Sequence, residues 1–316
     1  MSGAVDTPPK TNYAKHKLTG KDYLLSLQHL FAMFGATVLV PLLTGLNAST
    51  ALVTAGIGTL MFHASTKFKV PVFLGSSFAF IPAIAAITMK SGHVNPSQVP
   101  IAQGGIFVAG FVYLLFALLV YAIGPNRVKR LFPPVVTGPV IIIIGINLAS
   151  TAINDASGWA DFSAPLSSAT YMNIFIALFT LAVVILCNYI QKGFFKLVPI
   201  LIGIAAGYIL CIILNALGLY SLDLSSIGQA AWINIPFVTK DANGVGFFTL
   251  PQFHWGAILS IAPIAIVTFM EHIGDITTNG AVVGQDFIKD PGLHRTLAGD
   301  GLATIFAGFV GGPPAT

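Results

Sequence analysis

Three observations make this chain an all-α integral membrane protein. Of its 316 residues, 55% are hydrophobic and only 8% charged, against about 25% charged in an average soluble domain, and its mean hydropathy is +0.84. Mostly apolar runs of the roughly 20 residues that a spanning helix needs begin near Tyr23, Ala51, Val70, Ile101, Phe132, Tyr171, Leu197, Trp255 and Thr296. Counted across these nine segments from a cytoplasmic N-terminus, one side receives every Lys and Arg except Lys90 and Lys240, which is the positive-inside pattern. The net charge of +4 therefore reflects topology in a lipid bilayer, and no nucleic-acid partner is needed to explain it. The expected location is the cytoplasmic membrane, crossed many times, with the N-terminus inside.

Residues 1–22 are polar and lysine-bearing without an apolar run and cleavage site, so they read as a cytoplasmic tail and not a signal peptide. Segments one to four occupy 23–123. The third, "VPVFLGSSFAFIPAIAAITM", brackets Gly75, Ser76 and Ser77 between Pro71 and Pro82, which predicts a backbone break within the hydrocarbon layer. Broken backbone at that depth must face protein or a watery cavity, and in transporters it marks binding sites; a plain proline kink with serines bonded to their own helix is the other reading. Segments five to seven follow the basic hinge "GPNRVKR" within 124–217. Cys187 and Cys211 lie in separate apolar runs there and read as packing residues, and Gly203 with Gly207 as a close helix contact. Residues 218–254 form a polar outer linker, and 255–316 hold segments eight and nine.

A faint internal similarity links the two halves of this order. "QH" at Gln28 and His29 is followed by "GIGT" at Gly56 to Thr59, and "EH" at Glu271 and His272 by "GLAT" at Gly301 to Thr304, at nearly the same shift. A repeat of seven helices would be inverted in the membrane. The same shift puts the counterpart of Gly75 to Phe78 near position 320, past Thr316.

The stretch "FMEHIGD" carries the densest chemistry. Glu271 is the only glutamate in the chain, and Asp275 stands four residues later, so Thr268, Glu271, Asp275 and Thr278 share one helical face. With Trp255 starting the helix, Glu271 falls about 24 Å along it. Two readings follow: solvated acids at the inner interface, or a stripe lining a cavity. In the second, desolvation and mutual repulsion oppose carrying both charges, which suits the pair to taking up a proton. A carboxylate, as an acceptor-only group, also suits a ligand presenting N–H donors. His29, beside Gln28 inside segment one, reads either as a hydrogen-bonding partner of a broken helix or as a satisfied core histidine. His272 points about 100° away from Glu271 and reads as a packing residue. No histidine pairs with a second ligand at metal spacing, and no nucleophile elbow or phosphate loop appears. An enzyme is not expected.

The stretches "SLQHLFAMFGATVLVPLLTGLN", "VPVFLGSSFAFIPAI", "EHIGD" and "DPGLHRTLAGDGLATIFAGFVGGPPAT" resemble the nucleobase/ascorbate transporter family, also called nucleobase:cation symporter-2, and within it the bacterial uracil permeases. The resemblance implies fourteen segments in two inverted repeats of seven. Segments one to four and eight to eleven would form a core, five to seven and twelve to fourteen a gate, with a homodimer contact through the gate. It implies substrate bound where short strands interrupt segments three and ten. Glu271 would accept hydrogen bonds from the base, Phe78 would lie against it, and Ser77 and Ala79 would flank that aromatic in the strand. Asp275 would neighbour the proton, and His29 with Gln28 would brace the region. The activity implied is proton-coupled uptake of uracil, with the proton as coupling ion and no cofactor; xanthine or another purine on the same scaffold is the alternative, and an anion transporter of related architecture a distant one. On this resemblance segments ten to fourteen, with a second binding-site carboxylate, fall after Thr316. The chain is then expected to be C-terminally truncated and not to transport alone.

Overall fold

The computed structural model describes residues 20–90, 93–131, 134–158, 167–190, 199–222, 225, 239–240, 246–247 and 249–316. They are mostly helical: α1 (Gly20–Thr44), α2 (Ala48–Ser65), α3 (Ile81–Thr88), α4 (Val99–Ile123), α5 (Pro125–Leu131), α6 (Pro134–Ser157), α7 (Ser168–Ile190), α8 (Pro199–Ala216), α9 (Trp255–Ile261), α10 (Ile264–Val283) and α11 (Leu293–Val310). Two small antiparallel hairpins join Met89–Lys90 to His93–Val94 and Thr239–Lys240 to Gly246–Phe247. Among the described residues, Pro96–Ile123, Gly138–Ser157, Ser168–Ile190, Pro199–Ala216 and Trp255–Val283 are long and apolar enough to cross a membrane. The chain is a multi-pass helical membrane protein.

The described residues fall into two compact units, one within Ala36–Ile144 and Ile235–Thr316, the other within Leu18–Gly35 and Gly145–Asn234. In the second, α7 packs on α8. A side chain at Gly203 would run into Val184, and one at Gly207 into the Thr180 hydroxyl, so both glycines mark the close helix contact read from the sequence. Cys187 on α7 and Cys211 on α8 are free thiols.

The first unit is built around α4, which packs most closely on α11 and also on α9, α10 and α3, while α2 lies on the other side of α11. Small residues permit this. A Cβ at Gly308 would come 2.5 Å from the Phe107 backbone nitrogen, one at Gly301 3.0 Å from the Gly110 carbonyl oxygen, and one at Gly58 3.0 Å from Ala303 Cβ. Where lipid offers no hydrophobic contrast, such backbone approach is what holds helices together. The outward side of α4 presents Phe111, Leu115 and Leu118, as a lipid-facing surface requires.

Prolines and glycines set the breaks. Asn47 starts α2, its side-chain oxygen accepting from Ser49 N at 2.9 Å and Thr50 N at 3.1 Å, the usual service of an N-cap. After α2 the chain leaves the helix until Phe78–Phe80 begins a single turn and α3 follows, with Pro82 in its first turn. Pro71 pushes Val70 toward extended backbone, and Pro82 is tolerated only near a helix start. Segment three is therefore interrupted, as its sequence predicts. The helix begun at Trp255 is itself parted at Ala262 and Pro263 before α10.

α11 ends at Gly311, which takes the left-handed conformation at φ 92°, and Gly312 N reaches back to Ala307 O at 2.7 Å. Pro313 and Pro314 then forbid a further turn. Ser76 bridges Ala315 in antiparallel fashion, so Pro314–Thr316 supplies a strand that meets segment three. This pairing is one of hydrogen-bonded register and is distinct from the sequence counterpart of Gly75 to Phe78 expected past Thr316.

Gly308→Leu is expected to lower the stability of the detergent-solubilised chain by about 1–3 kcal/mol through overpacking. Gly56→Ala, whose added methyl meets open space, should leave the thermal unfolding midpoint equal or higher.

Candidate functional site

The interrupted segment and the C-terminal stretch form a two-stranded ribbon inside the first unit. Gly75 N donates to Thr316 O and Thr316 N to Gly75 O, each at 3.2 Å, and Ser77 N donates to Pro314 O at 2.9 Å. The ribbon is tied to α1 by proline chemistry. Pro41 lies inside α1 and has no N–H to give the carbonyl four residues back, which is that of Thr37. Ser76 Oγ donates to Thr37 O instead, at 3.0 Å. At the end of α1, Thr88 Oγ1 on α3 bonds to Thr44 O at 2.6 Å.

The Phe78–Phe80 turn packs against α10, the helix that carries Glu271 and Asp275. α10 is held to α4 one turn before Glu271, where the buried Tyr113 hydroxyl donates to Thr268 Oγ1 and Phe116 stacks on Phe269 with ring centroids 4.7 Å apart. Glu271 is half-buried. Its Oε2, like the Oγ of Ser77, is buried with no hydrogen-bond partner among the described residues. Buried polar atoms are almost always paired, so an acceptor and a hydroxyl left open on adjoining elements have the character of ligand contacts. Phe78 and Ala79 are half-buried beside them.

A second constellation lies on the same helix. His272 Nδ1 is 2.7 Å from Asp300 Oδ2, with the side chains 6% and 1% exposed, and His272 Nε2 is 2.8 Å from Thr296 Oγ1. Thr296 Oγ1 also reaches Leu293 O, at 2.9 Å. Beyond its close approach to His272, the buried Asp300 carboxylate has no hydrogen-bond partner among the described residues. It borders a cleft of about 350 Å³ lined also by Phe73, His272, Asp275, Asn279 and Thr316, within the size range of small-molecule pockets. Glu271 lies within electrostatic reach of Asp275, His272 and Asp300.

The structure thus brings the turn of Phe78 and Ala79, with Ser77 just before it, against the helix of Glu271 and Asp275. His29 and Gln28 belong to the other unit; His29 is exposed, and the Gln28 side chain lies outside the described residues. His272 does pack between helices, as read from sequence, but through a buried ionisable pair. Asp300 was missed, although a carboxylate within "GDGLAT" in an apolar segment is itself a signal of function. Tyr113 carried no such signal, because an isolated tyrosine in an apolar run reads as packing. Among the described residues no three His, Cys, Asp or Glu side chains are grouped to hold a metal ion.

An interrupted membrane segment paired with a second non-helical stretch, beside the half-buried Glu271 and the buried Asp300, is a pattern found at the binding sites of secondary transporters. Residues 20–316 match the permease family of xanthine and uracil permeases, and the chain belongs to that family, which is one of transporters and not of enzymes. It is 43% identical to the uracil permease of Bacillus caldolyticus over 298 residues, 94% of this chain and 64% of that protein. It is 45% identical to the uracil permease of Bacillus subtilis over 294 residues, 92% of this chain and 63% of that protein. With the uracil permease of Escherichia coli K12 it shares 38% identity over 293 residues, 92% of this chain and 62% of that protein. The chain spans just under two thirds of the length of these relatives.

Asp300→Leu leaves the buried His272 ring nitrogen without a partner. It is expected to cost about 3–5 kcal/mol of stability, the usual result of breaking a buried pair from one side. Asp300→Asn keeps an acceptor for Nδ1 and should cost less; chemical unfolding of the two variants beside the parent checks the order.

Proposed function

We propose that this chain serves in proton-coupled uptake of uracil across the cytoplasmic membrane, with its N-terminus inside. The observation that carries the reading is the pair of open, buried polar atoms, Glu271 Oε2 and Ser77 Oγ, on elements that pack together. Uracil is planar and neutral with adjacent N–H and C=O groups. Glu271 accepts from its N–H, the Ser77 hydroxyl donates to a carbonyl, and Phe78 lies against the ring with Ala79 behind it. Relatives named uracil permeases support this substrate over a purine.

Asp275, on the same face as Glu271 and bordering the cleft, is the neighbour that shares in proton uptake; His29 and Gln28 act as supports from the first segment. The wider architecture proposed is two inverted repeats of seven segments. Residues 23–123 and 255–316 belong to a core, 124–217 to a gate through which two copies associate, and 218–254 link them on the outer side. Sliding of core against gate gives alternating access.

A symporter that carries protons inward works faster as external pH falls. Labelled-uracil uptake by cells expressing the gene completed with segments ten to fourteen should rise toward acid pH, and Glu271→Gln should lower apparent affinity about tenfold to a hundredfold, the loss of a hydrogen bond to a charged acceptor. Undiminished, pH-independent uptake in the variant would sink the reading. Unlabelled xanthine should compete poorly with uracil, and equal competition would favour a purine carrier.

A further inference from the structure

The ribbon of Gly75–Ser77 and Pro314–Thr316 satisfies only the groups that point inward between its strands. In an antiparallel pair, alternate residues direct their N–H and C=O outward. The bond pattern around the Ser76–Ala315 bridge makes Ala315 such a residue, and Leu74, two before Ser76, faces its outer edge likewise. Leu74 and Ala315 are buried, so these groups need partners within the protein.

Two threonines meet them. Leu74 N donates to Thr59 Oγ1 at 3.0 Å, while that hydroxyl gives its own proton to Ala55 O at 2.7 Å and so is oriented as an acceptor. Across the ribbon, Ala315 N donates to Thr304 Oγ1 at 3.3 Å, and Thr304 Oγ1 donates to Ala315 O at 3.1 Å. One hydroxyl thus closes both backbone groups of a residue. Thr304 and Ala315 are buried.

These threonines end the two similar tetrapeptides, Gly56-Ile57-Gly58-Thr59 and Gly301-Leu302-Ala303-Thr304. α2 and α11 pack on each other at these very residues. A Cβ on Gly58 would lie 3.0 Å from Ala303 Cβ and 4.0 Å from Ala315 Cβ. Each helix therefore reaches the crossing with a small residue followed by a hydroxyl, and each hydroxyl serves one strand.

We propose that Thr59 and Thr304 are a matched pair of positioning residues that hold the ribbon, and through it Ser77 and Phe78, in the geometry that receives substrate. The role in holding the ribbon stands on the hydrogen bonds alone; the role toward substrate rests on the uracil reading above. Thr→Val keeps the shape of the side chain and removes the hydroxyl, leaving one backbone group of Leu74 or two of Ala315 unpaired. Thr→Ser restores the hydroxyl.

The test uses the purified 316-residue chain in lipid nanodiscs. Hydrogen–deuterium exchange is followed in peptides covering 72–78 and 312–316, and labelled-uracil binding is measured on the same samples. T304V is expected to speed exchange in both stretches about tenfold or more and T59V less, in proportion to the groups left unpaired. Both Val variants should weaken uracil binding about tenfold with the thermal midpoint of the bundle little changed, and both Ser variants should restore exchange and binding. Exchange unchanged in the Val variants, or raised equally in Ser and Val, overturns the proposal. Raised exchange with unweakened binding overturns the role toward substrate. Where the 316-residue parent binds no uracil, the binding arm is read on the chain completed with segments ten to fourteen, whose failure to bind counts against the uracil reading; the exchange result still decides whether the threonines hold the ribbon.

Discussion

Everything in the first unit turns on a backbone problem. A chain that breaks its helix inside a membrane exposes N–H and C=O groups that neither lipid nor a neighbouring helix of ordinary kind can satisfy. The hydrogen-bonded pairing of Gly75–Ser77 with Pro314–Thr316 answers it, and the surrounding residues make sense as conditions for that pairing. Pro71 and Pro82 keep the first stretch out of a helix, and Gly311, Pro313 and Pro314 do the same for the second. Pro41 frees the carbonyl that Ser76 claims. Gly58, Gly301 and Gly308 bring α2, α11 and α4 close together around the ribbon.

The few acids of the chain divide by how they are satisfied. Asp300 is paired with His272, which also reaches Thr296. Such a pair adds little net stability but is costly to break, which suits a contact that fixes α10 against α11. Glu271, one residue from His272, has an oxygen that the protein leaves open. On the reading proposed above, the paired group sets helix position and the open carboxylate is kept for a ligand.

The chain belongs to the permease family, and relatives it is similar to are named uracil permeases. On the reading proposed above, the open acceptor of Glu271 and the hydroxyl of Ser77 complement a small ring with adjacent donor and acceptor. Tyr113 and Thr268 lock α10 to α4 one turn from Glu271.

The sequence by itself determined what depends on local composition and backbone chemistry. Apolar runs and sparse charge declare the membrane, Pro71 and Pro82 around Gly75 declare the break, and Glu271 with Asp275 shows its shared face through helical spacing. Gly203 and Gly207 were legible as a packing contact for the same reason. Tertiary structure decided what depends on partners distant in the chain. The register that joins Ser76 to Ala315 is antiparallel, and no constant offset along the sequence reveals it. That His272 finds Asp300, that Tyr113 finds Thr268, and that Thr59 and Thr304 close the ribbon from opposite edges all require helices brought together from far apart. A hydroxyl or imidazole in an apolar run carries no mark of its partner; only packing, which places two such groups within hydrogen-bond reach, decides which of them pair and which are left open.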